Sequence, residues 1–434
     1  MFVYQELLTR AEQEKPVRVG LIGAGKFGSM FLSQVPSTPG LVVSAIADLR
    51  PDTARKACEG GGWNTDQIND VVFTDDAMAM MRREDIDVIV EATGNPVAGL
   101  MHAQEAIRTG HHVVMVNVEA DVLAGPLLAE QAKAAGVVYS MAYGDQPALT
   151  CELVEWARAC GFDVIAAGKG TKYLPSYHAS TPDTVWDHYG LTPAQAAEAG
   201  MNAQMFNSFL DGTKSALEMA AIANATGLAP PTNGLQFPPA GMDDLAHVLR
   251  PVAEGEQLEK RGMVEVVSSL ERDGRPVFRD LRWGVYVVIE APNPYAAACF
   301  RQYGMNTDAS GRYSAMYKPF HLIGLELNIS ILSAALLGKP TGSTSSFSGD
   351  VVATAKRDLL ADEVLDGEGG FTVWGKLLPA QTSVELGGLP IGLAHGVALK
   401  RNIAMGQPVT WQDVVIDENE TVVKTRREME RRFG

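Results

Sequence analysis

The sequence predicts an α/β protein: a doubly wound parallel-sheet domain, then an α+β domain, then a small β-rich C-terminal domain. Three observations carry this prediction. Residues 17–140 alternate strand-like apolar runs with helix-like stretches, the pattern of parallel strands joined by helical crossovers. The first apolar run enters Gly23-x-Gly25-x-x-Gly28, with Lys26 and Phe27 inside it, and a second run, Leu41 to Ala47, ends in Asp48. Residues 150–320 are less regular, and residues 350–423 hold short apolar runs broken by Gly and Pro.

In chain order, strands are expected at 17–22, 42–47, 87–92, 112–116 and 136–140, and helices at 26–35, 51–58, 97–109 and 124–135. The glycine motif between a strand and a helix is the dinucleotide-binding fingerprint of a Rossmann domain. Gly23 allows a tight turn, Gly25 lets the backbone approach a pyrophosphate, and Gly28 lets helix and strand pack closely. Ligands of such sheets lie beyond the C-terminal strand ends, which here carry residues 23–28, Asp48, Thr93-Gly94-Asn95 and Asn117. Asp48 suits an adenosine ribose and so NAD, whereas Arg50, two residues on, and Lys26 suit the 2′-phosphate of NADP.

Further on, the patterns suggest a helix at about 148–160, a strand at 163–167, a Gly-rich turn at 168–173, a long helical stretch at 193–226 and strands at 263–270 and 284–290. An antiparallel sheet with helices on one face is expected from these. The small, polar residues 338–349 read as a linker, and 424–432 as a solvated terminal helix. The expected boundaries are 1–148 for the Rossmann domain, 149–318 for a catalytic and dimerisation domain, 319–338 for a helix returning to the first domain, 339–349 for the linker and 350–434 for the last domain.

Bulk properties narrow the function. The chain has 434 residues, 46% of them hydrophobic, and a net charge of −16, which argues against nucleic-acid or anionic-membrane partners. Its four cysteines show no CxxC spacing, as expected of free thiols in a reducing cytosol. The N-terminus lacks a signal-peptide pattern. The longest apolar stretch, 322–337, includes Glu326 and Asn328 and is too short to span a bilayer. A cytoplasmic protein is the expectation.

Several cations are candidate catalytic residues. Lys214 and Glu218 are four apart on an expected helix and share a face. They are either a surface ion pair or a proton-transfer pair, and base before acid is the less helix-stabilising order. Lys169 and Lys172, in the Gly-rich turn, could present positive charge to a phosphate or enediolate. Lys318 and His321 read as opening an apolar helix, a place for cations only if an anion joins them. No metal-ligand spacing appears; an oxygen-ligated Mg²⁺ shared with substrate would leave little trace.

Residues 87–96, 106–117 and 127–138 resemble homoserine dehydrogenase: a strand ending in Thr93-Gly94, then a Gly-x-His-Val-Val strand ending in Asn117. The resemblance runs on more weakly through 144–147 and 168–173. It departs at Asp211-Gly212-Thr213-Lys214 to Glu218, where the acid and lysine of that family's catalytic pair stand in swapped order, and at Val118-Glu119, where the family has a Lys after its Asn. Residues 355–365 and 409–414 look like an SAF-type, antifreeze-protein-like domain.

A dehydrogenase of this kind followed by an SAF domain resembles the second-class 1-deoxy-D-xylulose 5-phosphate reductoisomerase-like group. The resemblance implies NADP(H) in preference to NAD(H), a possible Mg²⁺ or Mn²⁺, a phosphorylated sugar substrate and a homodimer. It also implies 2-C-methyl-D-erythritol 4-phosphate, an isoprenoid precursor, as product. The alternatives are a homoserine dehydrogenase-like dehydrogenase or oxidoisomerase of another sugar acid or hydroxy acid, and an NAD(P)-sensing regulator without turnover.

Overall fold

The structure is a computed structural model describing residues 3–254 and 257–434, the side chain of residue 254 excepted. The chain forms two compact units. Residues 1–149 and 321–345 contribute to the first, and 150–320 and 346–434 to the second.

The first unit is built on a six-stranded sheet: β1 (Val17–Ile22), β2 (Leu41–Ala47), β3 (Val72–Thr74), β4 (Val88–Glu91), β5 (His112–Met115) and β6 (Tyr139–Met141). The order is β3-β2-β1-β4-β5-β6, and every pair is parallel, with Val19 opposite Val43 on one side and Val88 on the other. The order reverses between β1 and β4, which opens a crevice at their C-terminal ends.

Alternation of side chains along each strand divides the core between two faces. Val17, Val19, Leu21, Val88 and Val90 point to one, and Ile22, Ile89, Val113 and Met115 to the other. The first face is closed partly by Leu327, Ile331 and Leu332 from far along the chain. The helix expected at 124–135 begins earlier, at Val118, because Asn117 caps it by accepting from the Ala120 N–H at 3.0 Å.

The second unit holds a four-stranded sheet of β7 (Asp163–Thr171), β8 (Met263–Ser268), β9 (Val285–Glu290) and β10 (Tyr313–Lys318), in the order β10-β9-β7-β8. It is mixed, not purely antiparallel: β7 and β8 run parallel, while β9 pairs antiparallel with β7 and β10. The buried helix Thr213–Thr226 lies between this sheet and the antiparallel pair β11 (Gly349–Ala355) and β13 (Val373–Pro379). Its apolar residues surround it, as a helix covered on all sides requires. Short strands β12 (Val364–Asp366), β14 (His395–Leu399) and β15 (Val414–Val415) form a third sheet.

Five further expectations need correction. Residues 168–171 are no turn but the second half of β7. Glycines occur there because a Cβ on Gly168 would lie 1.9 Å from the Glu265 carbonyl oxygen, and one on Gly170 2.0 Å from that of Leu281. The stretch 193–226 is three helices, Pro193–Glu198, Ala203–Leu210 and Thr213–Thr226, interrupted where Asn202 caps the second and Gly212 turns at φ +91°. Lys318 opens no helix; it ends β10, opposite Val285, and the next helix starts at Asn328.

The expected linker is tied down. Thr344 donates to both Asp121 oxygens at 3.0 Å, and the Ser348 and Gly349 N–H groups donate to Asn224 at 2.7 and 2.8 Å. The terminal helix Thr421–Phe433 is not simply solvated, since Arg426 is fully buried between Asp350 (2.5 Å) and Glu430 (2.9 Å).

Candidate functional site

At the crevice between β1 and β4, each glycine of the motif has a distinct local role. Gly23 has φ +92°, and a Cβ there would lie 2.7 Å from the Ala92 carbonyl oxygen. A Cβ on Gly28 would lie 2.4 Å from the Gly23 carbonyl oxygen, so only glycine lets the helix Lys26–Leu32 sit against the loop. A Cβ on Gly25 would meet nothing within 4 Å. The space before Gly25 is therefore open to a pyrophosphate, and these residues fit a dinucleotide.

Asp48, at the end of β2, braces the glycine loop. Its Oδ2 accepts from the Ala24 N–H and its Oδ1 from the Arg50 N–H, both at 2.9 Å. Lys26 and Arg50 are exposed beside it, and Phe27 is half-buried. The spare carboxylate lone pairs suit ribose hydroxyls, and the two cations suit a phosphate.

At the end of β4, Glu91 is completely buried. Its Oε1 accepts from the Thr93 hydroxyl at 2.6 Å and lies 3.1 Å from His102 Nδ1, which holds the Thr93-Gly94-Asn95 turn. The three turn residues are exposed. Asn117 is buried and donates to the Asn95 carbonyl at 2.8 Å while capping its own helix. It is a brace for the turn, with both ends of its amide already engaged.

In the second unit, Lys169 on β7 and Glu218 on the helix Thr213–Thr226 form a buried ion pair. Lys214 lies one turn before Glu218 on the same helix and is half-buried. Glu218 thus pairs with Lys169, a residue the sequence placed in a separate loop. Two candidates have other engagements: Lys172 donates to the His188 carbonyl, and Lys318 lies 3.6 Å from Glu152. Burial, with Arg282 nearby, holds the Lys172 ammonium below its ordinary pKa.

Sequence reasoning missed a second buried pair, Asp211 with Lys356 at 2.8 Å. Lys356 also donates to the carbonyls of Ser180 (2.8 Å) and Gly370 (2.7 Å). Glu91, His102 and Lys356 are not candidates in the sequence either; their contacts in the fold single them out. Among the described residues, no group of three His, Cys, Asp or Glu side chains is placed to hold a metal ion.

The family model described as the homoserine dehydrogenase NAD-binding domain matches residues 23–141, and that described as the catalytic domain of oxidoreductase DRL matches residues 144–327. No curated relative matches the sequence.

Among solved structures, a 3-ketoreductase from Actinomadura kijaniata in complex with NADP is 20% identical over 36% of this chain and 49% of its own, with a TM-score of 0.28. Myo-inositol dehydrogenase from Lactobacillus casei is 16% identical over 39% of this chain and 50% of its own, with a TM-score of 0.29. The match thus spans about half the length of either relative. A homoserine dehydrogenase from Thiobacillus denitrificans is 17% identical over 75% of this chain and 74% of its own, with a TM-score of 0.43. The chain is thus similar to a homoserine dehydrogenase NAD-binding domain over residues 23–141 and to the catalytic domain of oxidoreductase DRL over residues 144–327.

Proposed function

We propose that the protein is an NADPH-dependent reductoisomerase that converts 1-deoxy-D-xylulose 5-phosphate to 2-C-methyl-D-erythritol 4-phosphate. The observation that carries this reading is the buried Lys169–Glu218 pair with Lys214 a turn away, inside the segment matching the DRL catalytic domain. Such a substrate brings a phosphate and passes through enediolate-like charge, and fixed cations in a dry site stabilise both. The nicotinamide cofactor, when bound, supplies the hydride.

In this reading Lys214 exchanges the proton of the reacting oxygen, and Glu218 holds the ammonium groups of Lys169 and Lys214 in position. Removal of a hydroxyl proton lets one carbon–carbon bond break and another form, giving a branched aldehyde. Reduction then adds a hydride to the aldehyde carbon and a proton to its oxygen. Lys172 and Lys318 are candidates for the phosphate, and residues 350–434 for an SAF-like domain. The NADP preference is what the resemblance implies, and exposed Lys26 and Arg50 are compatible with it. A divalent cation is left to the assay.

The test is loss of reduced-nicotinamide absorbance with 1-deoxy-D-xylulose 5-phosphate, using NADPH and NADH in parallel, with Mg²⁺, Mn²⁺ or chelator. Oxidation of NADPH with a branched polyol phosphate as product is expected. No oxidation under any of these conditions sinks the reductoisomerase reading.

The homoserine dehydrogenase-type match over residues 23–141 favours a second reading. Here the same cations hold the carboxylate of a sugar acid or hydroxy acid. Hydride transfer without skeletal rearrangement on such substrates would select it.

A further inference from the structure

The second unit contains a cavity of about 230 Å³ that none of the proposed catalytic lysines lines. Its walls include His178, Gly212, Asn233, Phe237, Trp374 and Lys376. Aromatic rings make the apolar part: His178 stacks on Trp374 with centroids 3.8 Å apart, and Phe237 is backed by Tyr173 at 3.9 Å.

The polar part is cationic. Lys376 is half-buried, and among the described residues its ammonium makes no ion pair or hydrogen bond. The acids that might serve are occupied: Asp211 pairs with Lys356 at 2.8 Å, and Glu265 accepts from the N–H groups of Val266 (2.8 Å), Gln236 (3.1 Å) and Phe237 (3.4 Å).

His178 adds no negative charge either. Its Nδ1 lies 2.7 Å from the Asp211 carbonyl, which only accepts, so Nδ1 carries the proton. Nε2 then accepts from the Tyr173 hydroxyl at 3.0 Å. Burial, with Lys356 and Lys376 nearby, holds this imidazole below its ordinary pKa.

An ammonium in a cavity without a counter-charge bears an uncompensated desolvation cost, which an anion would relieve. We propose that this cavity is a binding site for a small organic anion, a carboxylate or phosphate ester whose carbon skeleton lies against the aromatic wall. Its volume is below the roughly 300–1,000 Å³ of drug-sized sites, which suits a metabolite. The site goes beyond the proposed reaction. It touches that reaction through one element, since Gly212 and Ala216 in its wall flank Lys214 at the start of the helix Thr213–Thr226.

The test is calorimetric titration of the full chain, without nicotinamide or sugar phosphate, so its outcome is independent of the reductoisomerase assay. The probes are benzoate, glycerol 3-phosphate and neutral benzamide. At least one anion should bind saturably with a Kd on the order of 1 mM or tighter, and benzamide should not. Lys376→Met should weaken that binding by about tenfold or more, and Lys376→Arg should keep it.

A second readout needs no change at Lys376: the bound anion should alter tryptophan emission in the wild type and not in Trp374→Phe. If neither anion binds saturably, if benzamide binds as tightly as benzoate, or if Lys376→Met binds like the wild type, the proposal is overturned.

Discussion

Lys169 of β7 and Glu218 of the helix Thr213–Thr226 face each other as an ion pair whose side chains are only 6% and 4% exposed. A buried pair of this kind adds little net stability over apolar residues, but losing one member strands the other charge. Glu218→Gln should therefore destabilise the protein by about 3–5 kcal/mol in urea melts, and Lys169→Met with Glu218→Leu together should recover most of that. A single-variant loss below about 1 kcal/mol would show that the pair is solvated.

Lys214 is the residue the proposed reaction leans on most. Lys214→Met should lower turnover by about a hundredfold or more, as removal of a positioned proton donor does. The affinity for NADPH, read by fluorescence titration, should stay unchanged. Near-normal turnover would remove Lys214 from the chemistry.

Two glycines of the motif, Gly25 and Gly28, should respond differently to a methyl group. Gly25→Ala meets open space in the protein, so melting should be unaltered while NAD(P)H affinity falls by about tenfold or more as the backbone loses its approach to the pyrophosphate. Gly28→Ala meets the Gly23 carbonyl oxygen at 2.4 Å. Overpacking there should cost about 1–3 kcal/mol of stability as well as cofactor affinity. Equal behaviour of the two variants would contradict the geometry.

Glu265 links stability to pH. Burial pushes its carboxyl up from 4.5 to about 7, against the opposing backbone N–H bonds from Val266, Gln236 and Phe237. The folded chain thus holds a proton that the unfolded chain releases. The stabilising contribution is complete below the unfolded pKa and is lost as pH rises through about 7. The stability difference between wild type and Glu265→Gln should shift against the wild type by on the order of 3 kcal/mol between about pH 4 and about pH 8. A pH-independent difference in urea midpoints would show that Glu265 is already ionised in the folded state.

The sheet of the first unit was legible because its information is local. Each βα step carries its own apolar period, and the turn from β1 into the Lys26–Leu32 helix carries glycines at fixed spacing, so Gly23, Gly25, Gly28 and Asp48 could be placed without knowing any distant contact. Strand β3 escaped notice because three residues, Val72–Thr74, are too few for a period to show. The glycines around Lys169 misled for the opposite reason. Gly168 and Gly170 read as turn formers, yet they are there to let the neighbouring chain come close inside a sheet, which no local pattern reports.

By itself, the sequence determined a dinucleotide-binding α/β domain, because backbone geometry and hydrophobic period are properties of neighbouring residues. Only the tertiary structure decided which charges meet: Lys169 with Glu218, Asp211 with Lys356, and Lys376 with no acid among the described residues. Such pairings join segments remote in the chain, and their strength depends on burial, which exists only once the chain has folded.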